Sequence, residues 1–329
     1  MNTPTFIKNT LFAVATTAMS YSVFALDKVT FQLDWLPGGD KAPVYVGIEE
    51  GFFAEQGIEV SIKGGRGSTE AITKIATGTA DVGIADITAL LLAKANDNVP
   101  VTGIYSQFSI APHTFVFPSD SGIKSVKDVE GKKIATSPFT SSNLFLPLLL
   151  EVNDVPEDSV TLTKVDPGAL GPMLITGATD VVISWVTSVE NYKAQAAEAG
   201  VELSILPWDD AGLEFYSTSV IAADKFLAER PDVAKRFVAA YAKAIEFTWA
   251  NPTKAAEDVH KAVVEVDVKT AVDTINAIKG LVYNQVSARD GIGAFDAERL
   301  ATTWKWTAKA QGVDASSFDP ETAISRLYQ

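Results

Sequence analysis

Thr77-Gly78-Thr79-Ala80-Asp81-Val82-Gly83-Ile84-Ala85-Asp86 has a counterpart later in the chain, Thr176-Gly177-Ala178-Thr179-Asp180-Val181-Val182-Ile183-Ser184-Trp185. The shared core is T-G-x-x-D-V-x-I. A β-branched stretch precedes each copy, at 58–62 and at 160–165, followed by a turn and a helical segment that closes at the Thr-Gly pair. Each copy therefore reads as strand–turn–helix–strand. Two such units predict two similar α/β lobes in one chain. Lobes of this kind face each other across a cleft, and such clefts are where small ligands bind.

The length of 329 residues suits about two domains. Lys8 precedes an apolar stretch at 11–15, continued by Ala18 and Met19, and Val23-Phe24-Ala25 offers a processing site. Residues 1–25 are thus expected to be a secretory signal peptide, with Thr10, Thr16, Thr17, Ser20 and Ser22 diluting it too much for a membrane anchor. The chain has no cysteine. That excludes a thiol nucleophile, a cysteine-held metal and lipid attachment at a mature N-terminal cysteine. The mature protein is expected free in the periplasm. The formal net charge of −14 leaves no basic stripe for a phosphate backbone, so nucleic acid is not an expected partner.

The remaining pattern fills out the lobes. A strand is expected at 29–35, a turn at 36–40 and a helix at 42–53. Ser68 is the expected N-cap of the helix ending near Ala76. A helix at 87–94 and a strand at 101–105 follow, and 108–113 reads as a crossover. Strands at 114–117, 133–136 and 201–206 and helices at 143–152 and 189–199 build the second unit, and 207–212 reads as the return crossover. From Ala223 onward helices dominate, at 231–250, 253–264, 268–281 and 297–311, and these are expected to complete the first lobe. The expected fold class is α/β in two lobes. One is discontinuous (26–110 plus 212–329), the other is inserted (111–211), and the two crossovers act as the hinge.

Ligands in open α/β sheets sit beyond the carboxyl ends of the strands. That rule selects Asp34 and Trp35, the segment 64–69 with Arg66, Gly67 and Ser68, and Asp86 and Ile87. On the inserted lobe it selects 137–142, with Pro138, Phe139, Thr140 and Ser141, together with Ser184 and Trp185. The indoles of Trp35 and Trp185 can stack on a planar ligand and donate one hydrogen bond each, or can be packing residues. The Gly-rich 64–69 segment and the hydroxyl-rich 137–142 segment each precede a helix. They offer backbone N–H groups to an anion or an amide, or serve as a plain turn and an N-capping cluster. Asp34, Asp86 and Glu214 can accept from an amine or a ring N–H, and Lys41 can pair with one of them. Catalysis has little support. The only two histidines, His113 and His260, are far apart in sequence, and no nucleophile elbow or zinc-type histidine pair is present. No catalytic residue, cofactor or metal is expected.

Beyond these readings, Asp34-Trp35-Leu36-Pro37, Val44-Tyr45-Val46-Gly47, the 50–58 segment from Glu50 to Ile58, Gly78-Thr79-Ala80-Asp81-Val82-Gly83-Ile84, Ser121-Gly122-Ile123-Lys124-Ser125 and Gly131-Lys132-Lys133-Ile134-Ala135 resemble a known group. It is the thiamine-pyrimidine-precursor-binding (NMT1/THI5-like) group, periplasmic substrate-binding proteins of ABC importers. The resemblance covers roughly residues 28–250. It implies a type II periplasmic-binding-protein fold with a hinge and an interlobe cleft, a small-molecule ligand, an inner-membrane permease with its ATPase as partner, and a monomer. It adds Tyr45 to the candidate site. Pyrimidine-precursor members carry an Asn near Gly38 and a His at the place of Lys41, and this chain has neither. The synthase relatives use a cysteine-rich motif absent here. The 135–141 segment and Trp185 also resemble taurine, alkanesulfonate and nitrate binders. A planar heteroaromatic ligand is the first expectation and a small sulfonate or carboxylate the alternative, ahead of a secreted enzyme acting on a small heterocycle.

Overall fold

The computed structural model describes Met1, residues 25–208 and residues 215–328. Glu214 and all but the ends of the expected signal segment lie outside the described residues. The strands are β1 (Asp27–Gln32), β2 (Ile58–Lys63), β3 (Val82–Asp86), β4 (Val101–Ser106), β5 (His113–Pro118), β6 (Lys133–Thr136), β7 (Thr161–Lys164), β8 (Val181–Trp185), β9 (Leu203–Pro207) and β10 (Thr218–Ala223). They form two sheets, ordered β2-β1-β3-β10-β4 and β7-β6-β8-β5-β9. β1 lies parallel to β2 and β3, as β6 does to β7 and β8. β10 runs antiparallel to β3 and β4, as β5 does to β8 and β9. The two sheets share one topology, and in each the antiparallel strand follows a crossing from the other sheet.

The repeated motif leads into β3 and β8, the middle strands. Its chemistry explains its residues. Gly78 and Gly177 hold φ of +75° and +71°, the left-handed geometry that ends a helix and that glycine adopts without strain. Asp81 accepts from the Thr30 amide on β1 at 2.8 Å, and Asp180 accepts from the Lys133 amide on β6 at 2.8 Å. In both sheets the motif aspartate therefore ties the helix exit to the neighbouring parallel strand.

The crossovers pair with each other. Gln107 and Phe108 donate their amides to Thr218 O at 2.9 Å, Ser217 N donates to Phe108 O at 3.0 Å, and Trp208 N donates to His113 O at 2.9 Å. Three expectations change in detail. The helix expected at 42–53 breaks at Gly51 (φ +77°) into Ala42–Glu49 and Phe52–Glu55. The segment expected as one helix over 268–281 divides into Val268–Ala277 and Lys279–Val282. Ser68 is the first helical residue rather than the cap, which is Gly67, because the Ser68 hydroxyl instead accepts from the Asp86 amide at 3.0 Å. β10 was not expected as a strand. The Ala297–Ala310 helix also reaches both sheets: Trp306 and Ala310 pack on the core under β5, and Gln311 donates to Leu144 O at 2.6 Å.

The long Pro231–Ala250 helix covers the first sheet. Phe237 stacks on Phe31 of β1, on Phe53 and on Tyr241, with centroids 5.9, 5.0 and 6.0 Å apart. All four rings are buried. Phe237→Ala removes the common member of this stack. It is expected to lower unfolding free energy by about 3–5 kcal/mol in urea titration. A loss below about 1 kcal/mol would show that the neighbouring rings close the gap.

Candidate functional site

The turn after β1 carries Asp34 and Trp35 and continues into a short 3-10 turn, Gly39–Lys41, that starts the Ala42–Glu49 helix. This folds Lys41 back beneath the strand end. Its ammonium lies 2.6 Å from Asp34 Oδ1 and 2.9 Å from Asp40 Oδ2, and all three side chains are buried. Burial pulls Lys41 towards neutrality, but the two carboxylates outweigh it and hold the ammonium above its usual range. Burial also raises Asp34, with Lys41 opposing. Two carboxylates share one ammonium, so no positive charge is left for an anion.

Asp34, Trp35 and Lys41 line a pocket together with Gly67, Ser68, Thr140, Ser184, Trp185, Thr187 and Ser188. The pocket thus gathers eight of the sixteen residues expected from the sequence, seven of them chosen by the strand-end rule. Thr187 and Ser188 escaped it because they stand two and three residues past Trp185, in the Val186–Ser188 turn. Trp35 is half-buried, and it crosses the cleft to pack against the core beneath β8, beside Val182, Val189 and Tyr192. The Trp185 indole N–H is already donated to Ser142 Oγ at 3.1 Å, so this residue offers a ring edge or face and not the expected hydrogen bond.

The other expected residues lie elsewhere. Arg66 is exposed, bound to Glu70 at 2.9 Å and stacked over Phe139 at 5.1 Å. Pro138 is exposed and Phe139 half-buried. Tyr45 lines a separate space with Leu33, Pro37 and Ile48, and burial pushes its hydroxyl up to about 12. Ile87 is in the core of the first lobe. Asp86 is fully buried behind the pocket and caps the Ile87–Asp97 helix by accepting from Thr88 N at 3.0 Å.

The 64–69 and 137–142 segments bind each other. Ser137 Oγ donates to Arg66 O at 2.8 Å, Thr69 donates its amide and hydroxyl to Phe139 O at 3.2 and 3.0 Å, and Ser141 Oγ donates to Asp86 Oδ2 at 2.6 Å. Gly67 is required at this junction: a Cβ there would lie 2.1 Å from Phe139 O. Behind them His113 is enclosed by Phe145, Trp185, Trp208 and Phe215. Its Nδ1 meets Ser142 Oγ at 2.9 Å and its Nε2 lies 3.4 Å from Asp86 Oδ2. Burial lowers its pKa to about 3. A neutral ring accepting at Nδ1 from Ser142 Oγ fits this geometry, and Nε2 faces Asp86 without a hydrogen bond.

Against known proteins, the NMT1/THI5-like family matches residues 39–255. The chain belongs to that family. It is 26% identical over 239 residues to the 4-amino-5-hydroxymethyl-2-methylpyrimidine phosphate synthase THI13 of Saccharomyces cerevisiae (70% of this chain, 69% of that one). It is 25% identical over 232 residues to the formylaminopyrimidine-binding protein of Halalkalibacterium halodurans, with the same coverage. It is 23% identical over 310 residues to the riboflavin-binding protein RibY of Chloroflexus aurantiacus (92% of this chain, 86% of that one). Among solved structures, the periplasmic aliphatic sulphonate-binding protein SsuA of Escherichia coli superposes with a TM-score of 0.70 at 13% identity, over 91% of this chain and 92% of that one. The fold is the two-lobe periplasmic-binding-protein fold.

Two outcomes follow. Gly67→Ala forces the 64–69 and 137–142 segments apart. Circular dichroism should be unchanged while the radius of gyration in X-ray scattering rises, and an unchanged radius would show that the junction yields without opening. His113, with its pKa below the unfolded value of about 6.5, stabilises the fold above that pH and loses this as pH falls towards about 3. The cost approaches about 1.4 kcal/mol per pH unit. Urea midpoints between pH 6.5 and 4.5 should therefore fall more steeply for wild type than for His113→Gln. Equal slopes would mean that the folded state accepts the proton.

Proposed function

We propose that this chain is the exported solute-binding component of an ABC import system and that it captures a small, planar nitrogen heteroaromatic. In this reading residues 26–110 with 212–329 form one lobe and 111–211 the other, residues 1–25 are removed on export, and the two lobes close on the ligand by hinge rotation. The closed form is then read by a membrane permease. The observation that carries the ligand class is Lys41. It is the one basic side chain lining the pocket among the described residues, and it is held between Asp34 and Asp40. A pocket with carboxylate and hydroxyl groups between two indoles suits a flat ring with N–H donors better than a sulfonate. The names of the formylaminopyrimidine and riboflavin binders support the same class. The anion reading draws on the Ser68–Ala76 helix, whose N-terminus faces the pocket without a side-chain cap. A synthase reading draws on the yeast relative. Against turnover stands His113, which is enclosed by rings and 1% exposed.

Ligand-stripped mature protein, tested by thermal shift against aminopyrimidines, flavins, sulfonates and nitrate, separates these readings. At a hundred times the dissociation constant a ligand adds about 2.7 kcal/mol of stability. Heteroaromatics should shift the midpoint and anions should not. Asp34→Asn should weaken the heteroaromatic by about tenfold to a hundredfold. A shift with sulfonates alone would overturn the proposal, and recovery of a chemically altered ligand would favour an enzyme.

A further inference from the structure

Trp35 lines two neighbouring spaces. The same Trp35, Thr187 and Ser188 that line the pocket also line a second, wider groove. The groove runs outward between the turn at 36–40, the Val189–Glu198 helix of the inserted segment and the Val268–Ala277 helix. Two compartments that share three residues suit a ligand with a planar head and an extended tail.

The walls restrict the tail's chemistry. The charged groups lining the groove are Asp40, Glu198, Glu265 and Asp267, and no lysine, arginine or histidine lines it among the described residues. Asn191, Gln195 and Thr270 supply neutral hydrogen-bonding groups. Three helices, Pro167–Ile175, Val189–Glu198 and Val268–Ala277, begin at the groove, and a helix start is where an anion would ordinarily be held. Two of these starts are already filled by a carboxylate, while Ser188 at the third makes no side-chain cap. Asp267 accepts from Thr270 N at 2.8 Å, and Asp166 accepts from Gly168 N at 3.1 Å. A phosphate entering the groove would meet carboxylates at two of the three helix starts and no basic side chain among the described residues.

We propose that the natural solute is a two-part molecule, a planar head in the inner pocket and an uncharged or cationic hydrogen-bonding tail in the outer groove, and that phosphate esters of such molecules are refused. This rests on the heteroaromatic reading of the inner pocket. Isothermal titration of the ligand-stripped mature protein tests it with two graded series. The first is 4-amino-5-hydroxymethyl-2-methylpyrimidine, thiamine and thiamine monophosphate. The second is lumichrome, riboflavin and riboflavin 5′-phosphate. In the series whose head binds, the tailed compound should bind at least about tenfold more tightly than either the bare head or the phosphate ester, one decade being 1.4 kcal/mol. Asn191→Trp, on an exposed helix position, should weaken the tailed compound and spare the head. Equal affinity for head and tailed compound, or for the ester, would overturn the two-part ligand while leaving the heteroaromatic reading intact. Binding of sulfonates with no response to either series would overturn both, and so would no binding by any of these compounds.

Discussion

An ammonium removed from water is unfavourable unless its charge is answered at close range. Lys41 is answered twice, and much of the site's geometry depends on that. The pair with Asp34 joins the end of β1 to the start of the Ala42–Glu49 helix, and the pair with Asp40 fixes the short turn between them. With both ends of the 34–41 segment tied, Trp35 has little choice but to project across the cleft onto the opposite core. The same arrangement sets the charge of the pocket. Removing the ammonium would leave two carboxylates buried together, whereas removing one carboxylate would still leave a neutral pair. The pocket therefore holds no basic side chain, among the described residues, that is free of a carboxylate partner.

The two strand-end segments meet through a different kind of contact. The 64–69 and 137–142 segments meet mainly through backbone carbonyls and short hydroxyls, with Gly67 allowing the backbones to touch. Such bonds exchange readily with water and are worth about 1 kcal/mol each in net terms. Long ion pairs or a large apolar interface would hold the lobes shut whether or not a ligand were present.

The repeated T-G-x-x-D-V-x-I motif made the duplicated topology legible, because its glycine and aspartate have the same local task in both sheets. Strand-end reasoning then found most of the pocket lining. It misplaced residues whose side chains turn away for reasons the sequence does not display: Arg66 turns to Glu70, and Ile87 faces the core. β10 escaped notice because Thr218–Ala223 is a wholly buried run of small and β-branched residues with no alternation. Its pairing partners, β3 and β4, lie more than a hundred residues earlier in the chain. The outer groove was equally hidden. Its walls come from four separated segments, and none of them carries a local signal.

The duplication also explains why the site is asymmetric. Asp86 and Trp185 occupy the same position in the two copies of the motif, at the ends of β3 and β8. They converge on adjacent residues, Asp86 accepting from Ser141 and Trp185 donating to Ser142, at the start of one helix of the second sheet. One copy thus supplies a buried acceptor and the other an aromatic wall, and His113 at the crossover links the two through Ser142 and Asp86. A symmetric scaffold alone would present matching surfaces on both sides of the cleft. Different residues at the two equivalent strand ends turn it into a pocket with a structural back and a recognising front. The residues that line the pocket are then those that this hub leaves facing forward: Asp34, Trp35, Ser68 and the hydroxyls around Trp185.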